Sequence, residues 1–397
     1  MKNVIFKLNN VIQDYPWGSK TEITELFSIA NPNNQHQAEI WMGAHANGCS
    51  KVASSGELLS DVINADPTAI LGEYTQHRFG KLPYLFKVLS AEKPLSIQVH
   101  PRLSRAREGF SRENEQGIPV NAPNRNYRDD NHKPELVYAL TFYQAMNGFR
   151  PLQEIIALFE EAQIATLSAE LEALKATPNE IGLQAFFTAV MNLQDEPKQS
   201  ALAELQQSNT RRPKTAMARE AFTMIAAFRK EYADDIGLFA PLMLNVVELA
   251  PGEAMFLHAE TPHAYVKGTG LEIMGNSDNV LRAGLTPKYI DVPELIANTR
   301  FNSIASQDIR LAPVKKGNKS GYPIPVDDFA FEIITSDGDK KEQFVRSAEI
   351  LFCIKGEVSV ISQNDNVVIK AGESLFVCHS AKSYKYQGDA VFARAFN

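Results

Sequence analysis

A mainly β protein with a helical insert is the fold class that this sequence predicts, and three observations carry the prediction. Short apolar runs separated by turn residues fill the first part of the chain up to about Val99. Between Pro151 and Tyr232 the pattern changes to Ala, Leu, Glu and Gln, with apolar residues at helical spacing. From Leu242 strand runs return, and a unit of strand, Pro-Gly-Glu turn and strand appears over residues 243–257, with a similar unit at residues 367–377. Such units build small β-barrels and jelly rolls. At 397 residues the chain exceeds what one core supports. The expected order is a β domain interrupted by a helical domain, at residues 1–150, 151–237 and 238–310, followed by a second β domain at residues 311–397.

The elements follow in order. Strands are expected at residues 6–8, 11–13 and 39–42 and in the buried run 82–89, with a turn at residues 14–19. Trp17, inside that turn, reads either as a core plug or as the apolar wall of a sugar-sized site. Glu39 and His45 read as the exposed ends of a strand. In residues 95–101, Leu95, Ile97 and Val99 alternate with Ser96, Gln98 and His100, so one face enters a core and the other is polar. Pro101 ends the strand and places His100 at its end. Residues 105–110 suggest a short helix. The polar stretch 117–130 reads as a long loop, and because it joins two ligand-bearing strands it is expected to be a lid. Glu135 opens the next strand, with Lys133 on its face.

In the helical part, Leu152, Ile155, Ile156 and Phe159, then Leu167, Leu171 and Leu174, then Phe222, Ile225 and Phe228 recur at helical spacing, and Pro178, Pro197 and Pro213 divide it. No chemistry is apparent there. The run 315–321, rich in Lys, Gly and Ser, reads as a linker, and residues 329–397 as all β without a ligand cluster.

Composition excludes several functions. A net charge of -7 argues against a phosphate-backbone binder, so no nucleic acid partner is expected. No run is long enough to span a bilayer, and the first residues lack a long apolar core followed by small residues, so a cytoplasmic protein without a membrane partner is expected. Cys49, Cys353 and Cys378 are widely spaced and odd in number, which reads as free thiols rather than disulfides or a thiolate zinc site. Any metal must therefore be held by nitrogen and oxygen. The spacing leaves His258 and His263 as rival ligands, and Glu272, Asp278, Arg282 and Lys288 form the densest polar cluster in the β regions.

Several longer motifs fall in a recognisable order: residues 98–101 (QVHP), 132–136 (HKPEL), 262–265 (PHAY) and 276–288 (NSDNVLRAGLTPK), together with 14–18 and 38–43. In these the chain resembles the type I mannose-6-phosphate isomerases, a zinc-dependent cupin family, over most of its length to about residue 295. The resemblance implies a catalytic cupin, a helical insert and a second cupin-like domain. It implies Gln98, His100, Glu135 and His263 as ligands of one Zn²⁺ per chain, which selects His263 over His258. It places the family's active-site arginine at Arg282 and lines the pocket with Trp17, Glu39, Lys87, Ser96, Lys133, Tyr265, Glu272, Asp278 and Lys288. The implied reaction interconverts mannose 6-phosphate and fructose 6-phosphate through an enediol, in a monomer whose partner is a small phosphosugar. Two neutral imidazoles, an amide and one carboxylate leave the ion net positive and suit zinc, though manganese or iron fit the same ligand types. Arg282 and Lys133 are expected to stabilise charge on the reacting oxygens. A guanidinium holds its proton too tightly to be a ready base, so Glu272, Asp278 and a metal-bound hydroxide stay open for that role. Ser96, Lys87, Arg282 and Lys288 are candidate phosphate donors. Two rival classes are an Fe(II) oxygenase using His100, Glu135 and His263, and a metal-free sugar-binding regulator.

Overall fold

The computed structural model describes residues 3–209 and 211–397. Its strands form one system of ten and one of eleven, and the helices between Leu152 and Met243 pack beside the first. The predicted class is therefore the observed one.

Each barrel is organised by one 13-residue strand that belongs to two sheets in turn. In the first barrel this is His263–Gly275. Its early residues pair with Tyr143–Phe149, and its later ones with Tyr84–Ala91 and Glu135–Ala139. Gly268 sits at the corner with φ +113°, and a Cβ there would lie 2.3 Å from Phe142 O. Only glycine tolerates both the backbone angle and that approach. In the second barrel Glu349–Ile361 makes the same corner at Gly356, φ +79°. Sequence reading anticipated two related β domains, and the shared corner is the physical form of that relation.

The barrels share a core. Ile40, Met42, Phe86, Leu136 and Ile273 from the first pack with Phe331, Ile350, Phe352, Phe376 and Ala393 from the second. Phe86 meets Phe331 and Phe352 edge to face, an arrangement that aromatic quadrupoles favour. Tyr84 also donates its hydroxyl proton to the backbone oxygen of Ala395, 2.9 Å away. The first strand, Ile5–Asn9, joins the second barrel, where it pairs antiparallel with Ser374–Val377. The helices close a separate apolar core with Ile97, Val99, Met146, Phe149 and Leu281 from the underside of the first barrel. Pro178 and Pro213 precede helices Glu180–Met191 and Ala216–Arg229, and Pro197 lies in the first turn of Asp195–Asn209, where a missing N–H is tolerated.

Two expectations fail. Residues 116–131 are no lid. Arg125 is buried and pairs with Glu113 at 2.9 Å, Tyr127 donates to Glu294 Oε1 at 2.5 Å, and Asp129 accepts from Ser277 Oγ and the Asp278 N–H, each at 2.7 Å. The polar residues that suggested a mobile cover are one another's partners, so the loop is a fixed strut. The linker expected at residues 315–321 is a hairpin, Val314–Lys316 with Lys319–Gly321, whose second strand pairs with Ala330–Asp337. Gly317 supplies the positive φ of its turn. No helix among the described residues is long and apolar enough to cross a membrane.

Candidate metal centre and its cleft

Three strand ends deliver the cluster. Ile97–Val99 hands on to His100, Glu135 begins Glu135–Ala139, and His263 begins the long strand. Gln98 lies directly across from His263 on one side and Arg282 on the other. The ligand atoms of His100, Glu135 and His263 lie within 4.8 Å of one another, and all three residues are buried. His100 Nε2 is 3.3 Å from Glu135 Oε1, and His263 Nε2 is 3.4 Å from Glu135 Oε2. Those separations match the edge of a tetrahedron with bonds of about 2 Å, the length typical of zinc to nitrogen or oxygen.

The donor set fits a divalent cation on chemical grounds as well. His100 Nδ1 lies 2.7 Å from Asn279 O, and His263 Nδ1 2.9 Å from Thr261 O. A carbonyl only accepts, so both Nδ1 atoms carry the proton and both Nε2 lone pairs face the cluster. His100 Nε2 is buried with no hydrogen-bond partner, a state that costs free energy unless a cation takes the lone pair. Burial, reinforced by the Lys133 ammonium, pulls the His100 pKa down to about 4, so the ring is neutral at pH 7 as a ligand must be. Burial opposes charge on Glu135, but the Lys133 ammonium 3.1 Å away outweighs it and holds the carboxyl well below its ordinary range. Gln98 Nε2 donates to Ser96 Oγ at 3.3 Å, which leaves Oε1 as the free ligand atom.

From this end a buried polar chain runs along the barrel wall. Lys133 Nζ is 3.1 Å from Glu135 Oε1. The Tyr265 hydroxyl lies 2.8 Å from Glu272 Oε1 and 3.1 Å from Glu135 Oε2, so its single proton serves two carboxylates. Lys87, cross-strand neighbour of Glu272, contacts Glu272 at 2.9 Å and Glu39 at 3.4 Å, and its ammonium lies 5.2 Å from the centre of the Trp41 ring. Trp41 Nε1 donates to Glu39 at 2.7 Å. Glu39 and His45, expected at exposed strand ends, are buried, because Glu39 belongs to this chain and His45 packs edge to face on Trp41. Burial raises the Glu272 pKa against the pull of Lys87. Asp278 is half-buried, and burial raises its pKa too, but His45 at 3.4 Å outweighs that and holds it below the usual range.

These groups line a cleft of about 640 Å³, within the range that takes a small ligand. Trp17, Glu39, Lys87, Ser96, Gln98, Lys133, Glu135, His263, Tyr265, Glu272, Asp278, Arg282 and Lys288 all reach it, so the residues that the family resemblance implied converge there or, like His100, directly behind it. His258 does not. It packs on Phe256, 4.8 Å between ring centres.

Sequence reasoning missed four contributors. Tyr15 stacks on Trp17, 5.7 Å between ring centres. Asn279 orients His100 through its backbone and accepts the Arg128 and Asp129 N–H groups through its side chain. Thr261 orients His263. Arg128 is the fourth: burial lowers the Arg282 and Lys288 pKa values, and the Arg128 charge lowers both further. Arg282 and Lys288 both line the cleft, and among the described residues neither has a carboxylate partner. No local pattern marks Arg128 or Asn279, because their partners are more than a hundred residues away; only the run NSDN pointed there.

The chain is similar to known proteins over its whole length. Residues 5–152 match the family model for the catalytic domain of type I phosphomannose isomerase, residues 157–244 its helical insertion domain, and residues 318–397 the cupin domain of mannose-6-phosphate isomerase. The chain is 47% identical over 394 residues to the mannose-6-phosphate isomerase of Salmonella typhimurium, covering 98% of this chain and 99% of that one. It is 46% identical over 396 residues to the Escherichia coli protein of that name, with the same shares covered. With the Saccharomyces cerevisiae protein the identity is 32%, over 95% and 94% of the two chains. A zinc-bound crystal structure of mannose 6-phosphate isomerase superposes with a TM-score of 0.93 at 46% identity, and the apo form from Salmonella typhimurium likewise with 0.93, each covering 100% of both chains.

Proposed function

The chain belongs to the type I phosphomannose isomerases, and on that premise we propose how its own residues isomerise mannose 6-phosphate. It is an isomerase, and zinc is its cofactor. Gln98, His100, Glu135 and His263 hold the ion, which supplies Lewis-acid polarisation of a sugar oxygen. One observation carries the reading: a buried His-Glu-His cluster shares its cleft with Arg282 and Lys288, two cations that have no carboxylate partner among the described residues.

The phosphate binds at Lys288, a point charge in the cleft wall. Lys87 serves otherwise, since its charge is balanced by Glu272 and Glu39 inside the wall. Trp17, with Tyr15 stacked behind it, covers the apolar side of the sugar.

Isomerisation to fructose 6-phosphate moves a proton between C1 and C2, and we assign the route to an enediol. Glu272 carries that proton: it lines the cleft, and burial raises its pKa, whereas His45 lowers that of Asp278. Lys87 and Tyr265 fix the Glu272 carboxylate from both sides. Lys133 and Arg282 donate to oxygens that gain charge as the enediol forms. Asp278, anchored by His45 and Asn47, accepts sugar hydroxyls.

A coupled assay with and without chelator tests the activity, and mannose 6-phosphate deuterated at C2 tests the route. Transfer through an enediol releases deuterium to water during turnover, and complete retention in the product points to direct hydride transfer. Glu272→Gln keeps the carbonyl acceptor and removes the base, so it should abolish label exchange with zinc content unchanged. We also place this enzyme in the cytoplasm as a monomer; light scattering would show 44.1 kDa. Its divisions fall at residues 1–150, 151–237, 238–310 and 311–397, with Ile5–Asn9 lent to the last.

A further inference from the structure

We propose that Asp328, in the second barrel, is a positioning residue for the reaction, acting through His132 on Lys133. The inference rests on the role assigned to Lys133 above.

His132 and Lys133 are neighbours in an extended stretch, and successive side chains of extended backbone point to opposite sides. Lys133 enters the catalytic cleft and reaches Glu135. His132 enters a second, smaller cleft of about 280 Å³ between the barrels, with Arg78, Arg107, Asp327 and Asp328 in its wall. There His132 Nε2 lies 3.0 Å from both carboxylate oxygens of Asp328, so Nε2 carries the proton and donates it across the two oxygens. Asp328 is 5% exposed and leads directly into Phe329 and the strand Ala330–Asp337, all part of the second barrel.

The other side of the stretch is already fixed. Gly275 donates its N–H to Pro134 O at 2.9 Å, and a Cβ at Gly275 would come within 2.8 Å of Pro134 Cδ. Ser277 Oγ and Asn279 Nδ2 both donate to Asn131 O, at 3.1 and 2.9 Å. Pro134 confines Lys133 to extended backbone. Rotation of the 131–134 stretch about its own axis would swing Lys133 off Glu135 and His132 off Asp328 together. The Asp328 link opposes that rotation from the far side. A lysine has four flexible bonds, so fixing its backbone is the economical way to pre-organise its ammonium. Neither Asp328 nor His132 lines the catalytic cleft, so neither need touch substrate. The second barrel, which among the described residues carries no metal-ligand cluster, thereby contributes to turnover.

The test compares Asp328→Ala and Asp328→Asn with the unmodified, zinc-loaded enzyme. Asparagine keeps an acceptor for His132 Nε2–H, and alanine does not. We expect kcat of Asp328→Ala to fall roughly tenfold, the lower range for losing a supporting hydrogen bond behind a functional group. KM for mannose 6-phosphate, zinc content and melting temperature should stay at their original values, and Asp328→Asn should recover most of the rate. Unchanged kcat overturns the proposal, as does a fall matched by lost zinc or a lower melting temperature, or equal impairment of the two variants. Should Asp328→Ala not fold, His132→Ala cuts the same link from the other side under the same criteria. If the unmodified enzyme fails to isomerise mannose 6-phosphate, the functional reading itself is at fault; if it turns over and Asp328→Ala matches it, only the positioning role is lost.

Discussion

At Glu135 two imidazole nitrogens, a lysine ammonium and a phenol meet one carboxylate, all within 3.4 Å. Removing that carboxylate takes away the one anionic ligand and leaves the Lys133 charge without its partner. Glu135→Ala should therefore lower bound zinc by roughly tenfold or more, as read by elemental analysis after gel filtration; zinc at one equivalent would refute the ligand set. Arg282 behaves differently because it lies beside the cluster rather than in it. Arg282→Ala should keep its zinc and lose turnover by at least about a hundredfold, the range for deleting a charge-stabilising donor, and full activity would remove Arg282 from the reaction. At this scale the sequence was informative where neighbours along the chain decide the outcome. Alternation put Ser96, Gln98 and His100 on one face, and the Pro after His100 placed it at a strand end. Spacing could not separate His258 from His263, because the turn at residues 258–262 decides which ring faces inward. Arg128, Asn279 and Asp328 gave no signal, since each acts on a partner far away in sequence.

Among the elements, the long strand His263–Gly275 does two jobs that its corner makes possible. Before Gly268 it delivers His263 and Tyr265, and after it Glu272, so one strand contributes to both the His-Glu-His cluster and the buried Lys87–Glu272 pair of the cleft wall. Gly268→Ala would force a side chain into φ +113° and against Phe142 O. It should destabilise the fold by at least about 1 kcal/mol, seen as a lower urea midpoint; an unchanged midpoint would mean that the corner is not strained. The loop at residues 116–131 and the hairpin at 314–321 mark where composition misleads. Polarity and length suggested mobility in both, but Arg125, Glu113, Asp129 and Asn279 satisfy one another, and Gly317 supplies a tight turn instead of a flexible joint. A polar segment whose partners are internal has the same composition as one solvated by water.

Across the whole molecule, the common core around Phe86, Phe331 and Phe352 makes two barrels one folding unit. Phe352 is fully buried at their junction. Phe352→Ala should cost about 3–5 kcal/mol, and zinc release and loss of β signal should still share one midpoint in denaturant. Separate midpoints would show that the barrels unfold independently. The sequence revealed the three-part order through its switch from strand to helix periodicity and back, but not this shared core, because apolar alternation tells which face is buried and not against what. The pairing of Ile5–Asn9 with Ser374–Val377 bears on biosynthesis. As the nascent polypeptide leaves the ribosome, Ile5–Asn9 can pair early with Lys51–Val52 through Leu8 and Asn9, but its other edge must wait until Ser374–Val377 has emerged. Closure of the second barrel is thus deferred until residue 377 is out, and a ribosome that stalls before that point leaves an exposed sheet edge, the kind of surface that chaperones bind and that seeds aggregation.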